Sequence, residues 1–268
     1  QRVTKILKET KILHQKNENL SKIQIIEFSI LYIILNFFDI TSEKLEELSN
    51  IEFLDEKNET LKSFIINSLI EDNNKDFIFW DIGSNIGQYS IYAALTHDKC
   101  HTISFEPSTS NLRVLSRNIS INNLHDRIDI YSLPLSDSWG GFLLMNEKNF
   151  DEGRAQNSFG ESIDFQGKGF SPKNKYKLAS MNIEKLINEK VLKIPNYIKI
   201  DVDGIELQIL KGAKNVLESG EIRSISIEIN EARSQQFEEI KNLLEKNNYA
   251  IDSKGRSPQA YDNNIKFS

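Results

Sequence analysis

The sequence predicts an α/β fold: a doubly wound, mostly parallel sheet covered by helices on both faces, with a helical region before it. Three observations predict this. From Asp76 onward, short apolar runs of strand length alternate with segments of helical period. The first run leads into a glycine turn that opens a helix. Three later runs end at or near a carboxylate, Glu106, Asp201 and Glu228, at the strand ends where a doubly wound sheet forms its ligand crevice.

Residues 1–75 read as a separate helical region. Leu45, Leu48, Leu61, Phe64, Ile65, Leu69 and Ile70 recur at helical spacing between Glu, Lys and Asn. The most apolar stretch, Ile23 to Ile40, is interrupted by Gln24, Glu27, Asn36 and Asp39. A spanning helix needs about 20 mostly apolar residues, so this stretch is expected to be a buried helix rather than a stable membrane insertion. Gln1 to Lys22 is charged and polar without the apolar core of a signal peptide, and a cytoplasmic location is the expectation. The region is read as a helical cap or as a segment through which copies of the chain associate.

The second domain, 76–268, is read in order. Phe77 to Trp80 is the first strand, and a helix through Tyr89, Ile91, Tyr92 and Leu95 follows its glycine turn. Thr102 to Phe105 is the second strand, and a helix from about Ser110 carries Leu112, Leu115 and Ile119. Arg127 to Tyr131 is a third strand, and Asn196 to Ile200 a fourth. A single helix is expected from Ile205 to Glu218, stopped at Gly220, a residue suited to the position after a helix end. Ile222 to Ile229 is a fifth strand, followed by a helix from Gln235 to Lys246 and a further strand signal at Tyr249 to Ile251. Phe150 to Tyr176 has no clear period, and reads either as a lid over the crevice or as a surface insertion.

Composition narrows the function classes. Lys and Arg total 33 against 39 Asp and Glu, a formal net charge of −6 with the signs interspersed, which argues against a broad nucleic-acid surface. One cysteine, Cys100, excludes internal disulfides and Cys-rich zinc sites. His14, His97, His101 and His125 stand apart from the strand ends and are expected to be surface or packing residues, and Trp80 and Trp139 to lie in the core or the crevice wall.

The strongest motif is Asp81-Ile-Gly83-Ser84-Asn85-Ile-Gly87, between a strand and a helix. It lacks the middle glycine of the dinucleotide fingerprint, which makes room for a pyrophosphate; Asn85 stands there instead. Asp81 beside the turn repels phosphate and suits a ligand carrying an ammonium group, such as the amino acid end of S-adenosylmethionine. A carboxylate at the end of the second strand, Glu106, can accept hydrogen bonds from both ribose hydroxyls, and Pro107 stops that strand. The segment Ile198-Lys-Ile-Asp201-Val-Asp203-Gly204-Ile-Glu206 delivers three carboxylates to the end of the fourth strand. Asp201 is the best placed of them to meet a cofactor, a substrate hydroxyl or a metal, whereas Glu206 in a first helical turn is explained by the helix dipole.

Together these pieces resemble the FkbM family of S-adenosylmethionine-dependent methyltransferases. The resemblance rests on Asp81 to Tyr89, Phe105-Glu-Pro107, Leu135-Ser-Asp137, and Ile198 to Glu206 followed by Leu210-Lys-Gly-Ala213. Asp203 departs from the family pattern, which usually has Glu there. The resemblance implies a Rossmann-like class I methyltransferase sheet of seven strands with the last antiparallel, over residues from about 77 to 250. It implies methyl transfer to a hydroxyl, often on a sugar or polyketide, with S-adenosylmethionine as cofactor. Carried onto this chain, it implies that Gly83, Ser84, Asn85, Gly87 and Tyr89 line the methionine end with Asp81. Glu106 and Pro107 would hold the ribose, and Ser136 and Asp137 would lie near the adenine. A Ser-Asp turn pair that bonds its own backbone is the alternative for the last two.

The chemistry expected of the protein is alignment of the acceptor and removal of its proton. Asp201 is the candidate base and Glu228 a second. Asp201, Glu228 and Asn230 as an oxygen-rich Mg²⁺ site is an alternative, although no metal is assigned. The expected partner is a small-molecule or glycan acceptor and not a nucleic acid. An NAD-dependent oxidoreductase and a nucleoside-binding scaffold without catalysis are the competing readings.

Overall fold

The first strand, β1 (Phe77–Ile82), is apolar at nearly every position because both faces of the sheet are covered, the condition that gives parallel strands continuous apolar runs. It leads through Gly83–Gly87 into α1 (Gln88–Thr96), then β2 (Cys100–Phe105), α2 (Thr109–Ile121) and β3 (Ile128–Tyr131). After β3 the chain forms β4 (Leu135–Ser136), β5 (Phe142–Glu147), β6 (Asn157–Phe159), β7 (Asn174–Ala179) and β8 (Met181–Asn182). It returns through α3 (Ile183–Asn188) to β9 (Tyr197–Ile200), α4 (Glu206–Lys211), α5 (Lys214–Glu218), β10 (Ser224–Ile229), α6 (Ser234–Lys246), β11 (Ile251–Arg256) and β12 (Asn263–Phe267). This computed structural model describes residues 70, 75–153, 157–162, 168–229, 233–256 and 263–268. Apart from Ile70 and Lys75, the helical reading of residues 1–75 lies outside the described residues, as does Asn230.

The main sheet has seven strands in the order β11-β12-β10-β9-β1-β2-β3. β3, β2, β1, β9 and β10 run parallel, and β12 is antiparallel to both β10 and β11. The expected seven-stranded, doubly wound arrangement with an antiparallel last strand is therefore present. The strand order reverses between β1 and β9, and at such a switch point the chain leaves two neighbouring strands in opposite directions and opens a crevice above their carboxyl ends.

Alternation along the strands gives the sheet two different faces. Trp80, Ile82, Ile103, Phe105, Ile198, Ile200, Ile225 and Ile227 join Leu186, Ile209, Leu217, Ile240 and Leu244 of the helices in one apolar core. The other face carries a row of buried polar residues in register across four strands: Ser104, Asp81, Lys199 and Ser226.

Two regions differ from the sequence reading. The helix expected over 205–218 is two helices, broken at Gly212 and Ala213. A Cβ on Gly212 would lie 2.2 Å from the carbonyl oxygen of Ser136, and its own carbonyl accepts from the Glu184 amide at 3.0 Å. Contacts with β4 and α3 thus override local helical propensity. Gly220 does follow the second helix, with φ 72°. The stretch from Phe150 to Tyr176 also contains structure, since β6 and the start of β7 flank β5 in a three-stranded antiparallel sheet. Trp139 is not core: it is 41% exposed, with the Lys185 ammonium over its ring.

Candidate functional site

The ends of β1, β2 and β9 meet at the glycine turn. The amides of Gly83 and Ser84 both donate to the Phe105 carbonyl at 3.0 Å, and the Asp201 amide donates to the Ile82 carbonyl at 3.0 Å. Gly83 has φ 78°, and a Cβ there would lie 1.9 Å from the Asp201 carbonyl oxygen. Glycine is required by both conformation and space. The loop then presents Asn85, also left-handed at φ 51°. Its amide donates to Glu106 Oε2 at 2.8 Å, while its side-chain Nδ2 donates to the Gly153 carbonyl at 3.3 Å. Asn85 Oδ1 is buried with no hydrogen-bond partner among the described residues.

Glu106 follows the last residue of β2, and its other oxygen, Oε1, accepts from the Ser108 amide at 2.7 Å. Two backbone donors and the Asn111 side chain therefore fix the carboxylate. Burial pushes its pKa up to about 8, against the lowering effect of the Ser108 and Asn85 amides and the Asn111 side chain.

Asp81 is placed differently from the expectation. Its carboxylate is fully buried, and Oδ2 accepts from the Ser90 amide at 3.0 Å and the Ser90 hydroxyl at 2.6 Å. Oδ1 lies 3.6 Å from Lys199 Nζ. The same ammonium lies 2.9 Å from Asp201 Oδ2 and 4.0 Å from the centre of the Tyr89 ring. Desolvation raises the pKa of Asp81, with the Lys199 charge as the largest opposing influence. Lys199 is itself held above the ordinary lysine value: burial works the other way, and the charges of Asp201 and Asp81 prevail. Asp81 thus anchors the turn from below, through α1 and β9, and does not line the cleft.

Above these groups lies a cleft of about 260 Å³. Gly83, Asn85, Glu106, Pro107, Asp201 and Glu228 line it, so half of the residues proposed from sequence are brought together. Ser84 and Gly87 are buried in the turn beneath. Tyr89 lies under the ammonium of Lys199, where desolvation raises its phenol pKa. Ser136 is buried and Asp137 exposed, outside the cleft wall, and Ser136 bonds Ser138 and Ser180 while its neighbours Leu133, Pro134 and Leu135 line the cleft. Ser136 Oγ also accepts from the Ser138 amide at 3.1 Å, a local bond of the turn kind. Met145 and Phe159, from the small sheet that the sequence reading did not place, close one wall.

The cleft is acidic. Glu106, Asp201, Asp203 and Glu228 line it, and no Lys, Arg or His does so among the described residues. Glu206 lies beneath, accepting from the Gly204 amide at 3.0 Å and from Gln236 Nε2 at 2.8 Å. Burial raises its pKa to about 7, and its carboxylate fastens the turn after β9 to α6. No three His, Cys, Asp or Glu side chains come together as a metal-binding group among the described residues. No described helix is long and apolar enough to cross a membrane.

Lys199 is the site residue that the sequence reading passed over. A signal was present: it is a lysine in an otherwise apolar strand, two residues before Asp201 and so on the same face. Asn111 and Met145 had no comparable signal, because they reach the cleft from a helix face and from an unplaced strand.

The model of the methyltransferase FkbM domain matches residues 81–251. A curated relative, the hexuronic acid methyltransferase AglP of Haloferax volcanii, is 26% identical over 155 residues, which cover 58% of this chain. The chain spans 57% of that relative's length. Among solved structures, the precorrin-6y C5,15-methyltransferase of Geobacter metallireducens GS-15 superposes with a TM-score of 0.44 at 11% identity, covering 77% of this chain and 87% of that one. The M1A22 tRNA methyltransferase TrmK of B. subtilis superposes with a TM-score of 0.46 at 15% identity, covering 78% of this chain and 65% of that one.

Proposed function

Because the chain belongs to the FkbM methyltransferase family, we propose that it uses S-adenosylmethionine to methylate a hydroxyl group of a sugar or glycan. The observation that carries the cofactor reading is the acidic cleft wall: four carboxylates and no described cationic side chain. Such a wall favours a ligand with a sulfonium and an ammonium group, and repels the pyrophosphate of a dinucleotide. The residues present fit the cofactor on two further counts. Glu106, with three donors on about four acceptor sites, keeps a site for a ribose hydroxyl. Asn85 Oδ1, buried without a partner, is an acceptor available to an ammonium, and filling it removes the cost of an unsatisfied polar atom.

When bound, S-adenosylmethionine supplies a methyl group already activated by its sulfonium. The protein's part is positioning and proton removal. Glu106 and Asn85 hold the two ends of the cofactor, and Met145 and Phe159 exclude water along one wall. Asp201, paired with Lys199 at 2.9 Å, accepts the acceptor hydroxyl's proton, and Glu228 is the second candidate for that role. The sugar acceptor is supported by the relative AglP, whose name gives a hexuronic acid as its substrate.

The test is transfer of labelled methyl from S-adenosylmethionine to a panel of sugars and glycans, followed by alkaline treatment that removes esters and leaves ethers. Base-stable label supports hydroxyl methylation. Label lost to alkali assigns a carboxylate acceptor, and label on amino sugars alone assigns a nitrogen.

A further inference from the structure

Glu147, at the end of β5, is a fully buried carboxylate that takes no part in the chemistry above. Its bonds reach two other pieces of chain, the turn before α2 and the neighbouring strand β7. Its Oε1 accepts from the Ser108 hydroxyl at 2.7 Å and from the Tyr176 hydroxyl at 2.8 Å, and its Oε2 accepts from Asn174 Nδ2 at 2.7 Å. Ser108 also donates its backbone amide to Glu106 Oε1 at 2.7 Å. Tyr176 accepts from the Thr109 amide at 3.0 Å, a second tie to the same turn. One residue, Ser108, therefore stands between the two carboxylates, with its amide on one and its hydroxyl on the other.

We infer that Glu147 is a positioning residue for the nucleoside end of the cleft: through Ser108 it fixes the direction of the Glu106 carboxylate and ties the small sheet, as the wall of that cleft, to the turn before α2, while Asn174 and Tyr176 of the neighbouring strand β7 hold the Glu147 carboxylate in place. The small sheet has no strand pairing with the main sheet, so side-chain bonds of this kind must set where it stands. Met145, two residues before Glu147 on the same face of β5, and Phe159, opposite it on β6, are the wall residues so placed. A buried carboxylate with three donors is expensive to desolvate and is strongly directional once its donors are met. That combination suits a residue that fixes one geometry.

The inference rests on the reading of Glu106 as the ribose ligand, and its test separates the two. Binding of S-adenosylhomocysteine and of its 2′-deoxy analogue is measured by titration calorimetry for the wild type, Glu147→Ala, Glu147→Gln and Tyr176→Phe. The wild type is expected to prefer the hydroxyl-bearing ligand by roughly ten-fold or more, the scale of a hydrogen bond to a charged group. In Glu147→Ala and in Tyr176→Phe this preference falls at least three-fold, and Glu147→Gln, which keeps the Oε1 acceptor, recovers most of it. Tyr176→Phe keeps the ring and serves should Glu147→Ala fail to fold. Equal weakening of both ligands, with the preference unchanged, assigns Glu147 to general stability and overturns the inference. A wild type that binds S-adenosylhomocysteine without preference removes the ribose role of Glu106, and a wild type that does not bind it removes the cofactor reading; the inference falls with either.

Discussion

The ammonium of Lys199 lies 2.9 Å from the Asp201 carboxylate while being 1% exposed, so the candidate base is held from inside the protein. Asp81 shares the same cation at 3.6 Å from the other side. The two acidic residues that the motifs make most visible thus do different work: Asp81 ties the turn to the sheet and to α1, and Asp201 faces the cleft.

Removing that cation leaves Asp81 without its counter-charge in a fully buried site. Lys199→Met is expected to lower stability by about 3–5 kcal/mol, the cost of breaking a buried ion pair by deleting one partner. Urea unfolding measures it. Adding Asp81→Asn to Lys199→Met should recover part of the loss, because the uncompensated charge is then gone. Additive losses in the double variant contradict the pairing.

Two glycines with nearly equal backbone angles predict unequal penalties. Gly83 and Gly140 have φ of 78° and 77°. Gly140→Ala meets nothing within 4 Å and should cost only about 1–2 kcal/mol for the left-handed conformation. Gly83→Ala sets a methyl 1.9 Å from the Asp201 carbonyl oxygen; it should cost several kcal/mol more or prevent folding, as compared by thermal denaturation.

How much of this was legible in the sequence depends on the kind of signal. Strands β1, β2, β9 and β10 and the turn Gly83–Gly87 are local patterns, apolar runs closed by glycine or a carboxylate, and β3 is a short alternating run; these are readable. The break at Gly212 was not, because its cause is the Ser136 carbonyl, 76 residues away along the chain. β5 and β7 were hidden for a related reason: Phe142, Leu143 and Leu144 are exposed in part, and β7 alternates lysine with Tyr176 and Leu178, so neither has the apolar run of a buried strand. Of the residues that the motifs single out, Gly83, Asn85, Glu106, Pro107, Asp201 and Glu228 line the cleft, and Asp81 does not. A motif shows that Asp81 stands beside the turn, but not that Ser90 and Lys199 turn its carboxylate inward.

The raised pKa of Glu106, about 8 against 4.5 for an ordinary glutamate, predicts a pH dependence with a definite sign. The folded protein binds more protons at this site than the unfolded chain between those two values. Its contribution to stability is therefore full below about pH 4.5 and is lost as pH rises through about 8. Glu206, raised to about 7, acts in the same direction. Ribose hydroxyls donate to the ionised form, so S-adenosylhomocysteine affinity should rise from pH 6 toward pH 8.5 with protons released on binding. Calorimetry in buffers of different ionisation enthalpy measures the release, and Glu106→Gln should abolish it. Affinity that falls over this range contradicts the assignment.

The two candidate bases separate kinetically. Asp201→Asn is expected to lower kcat by about 10²–10⁴-fold with little change in cofactor affinity, the range for loss of a general base. Glu228→Gln is expected to have the smaller effect on kcat. The reverse order transfers the proton-accepting role to Glu228.

The central claim is that this acidic cleft holds S-adenosylmethionine through Glu106. The most direct measurement is calorimetric titration of the protein with S-adenosylmethionine, S-adenosylhomocysteine and NAD in parallel, repeated with Glu106→Ala. The account predicts saturable binding of the first two, weakened at least ten-fold by the substitution, and no binding of NAD. Binding of NAD alone, or S-adenosylhomocysteine binding that Glu106→Ala leaves unchanged, would contradict it.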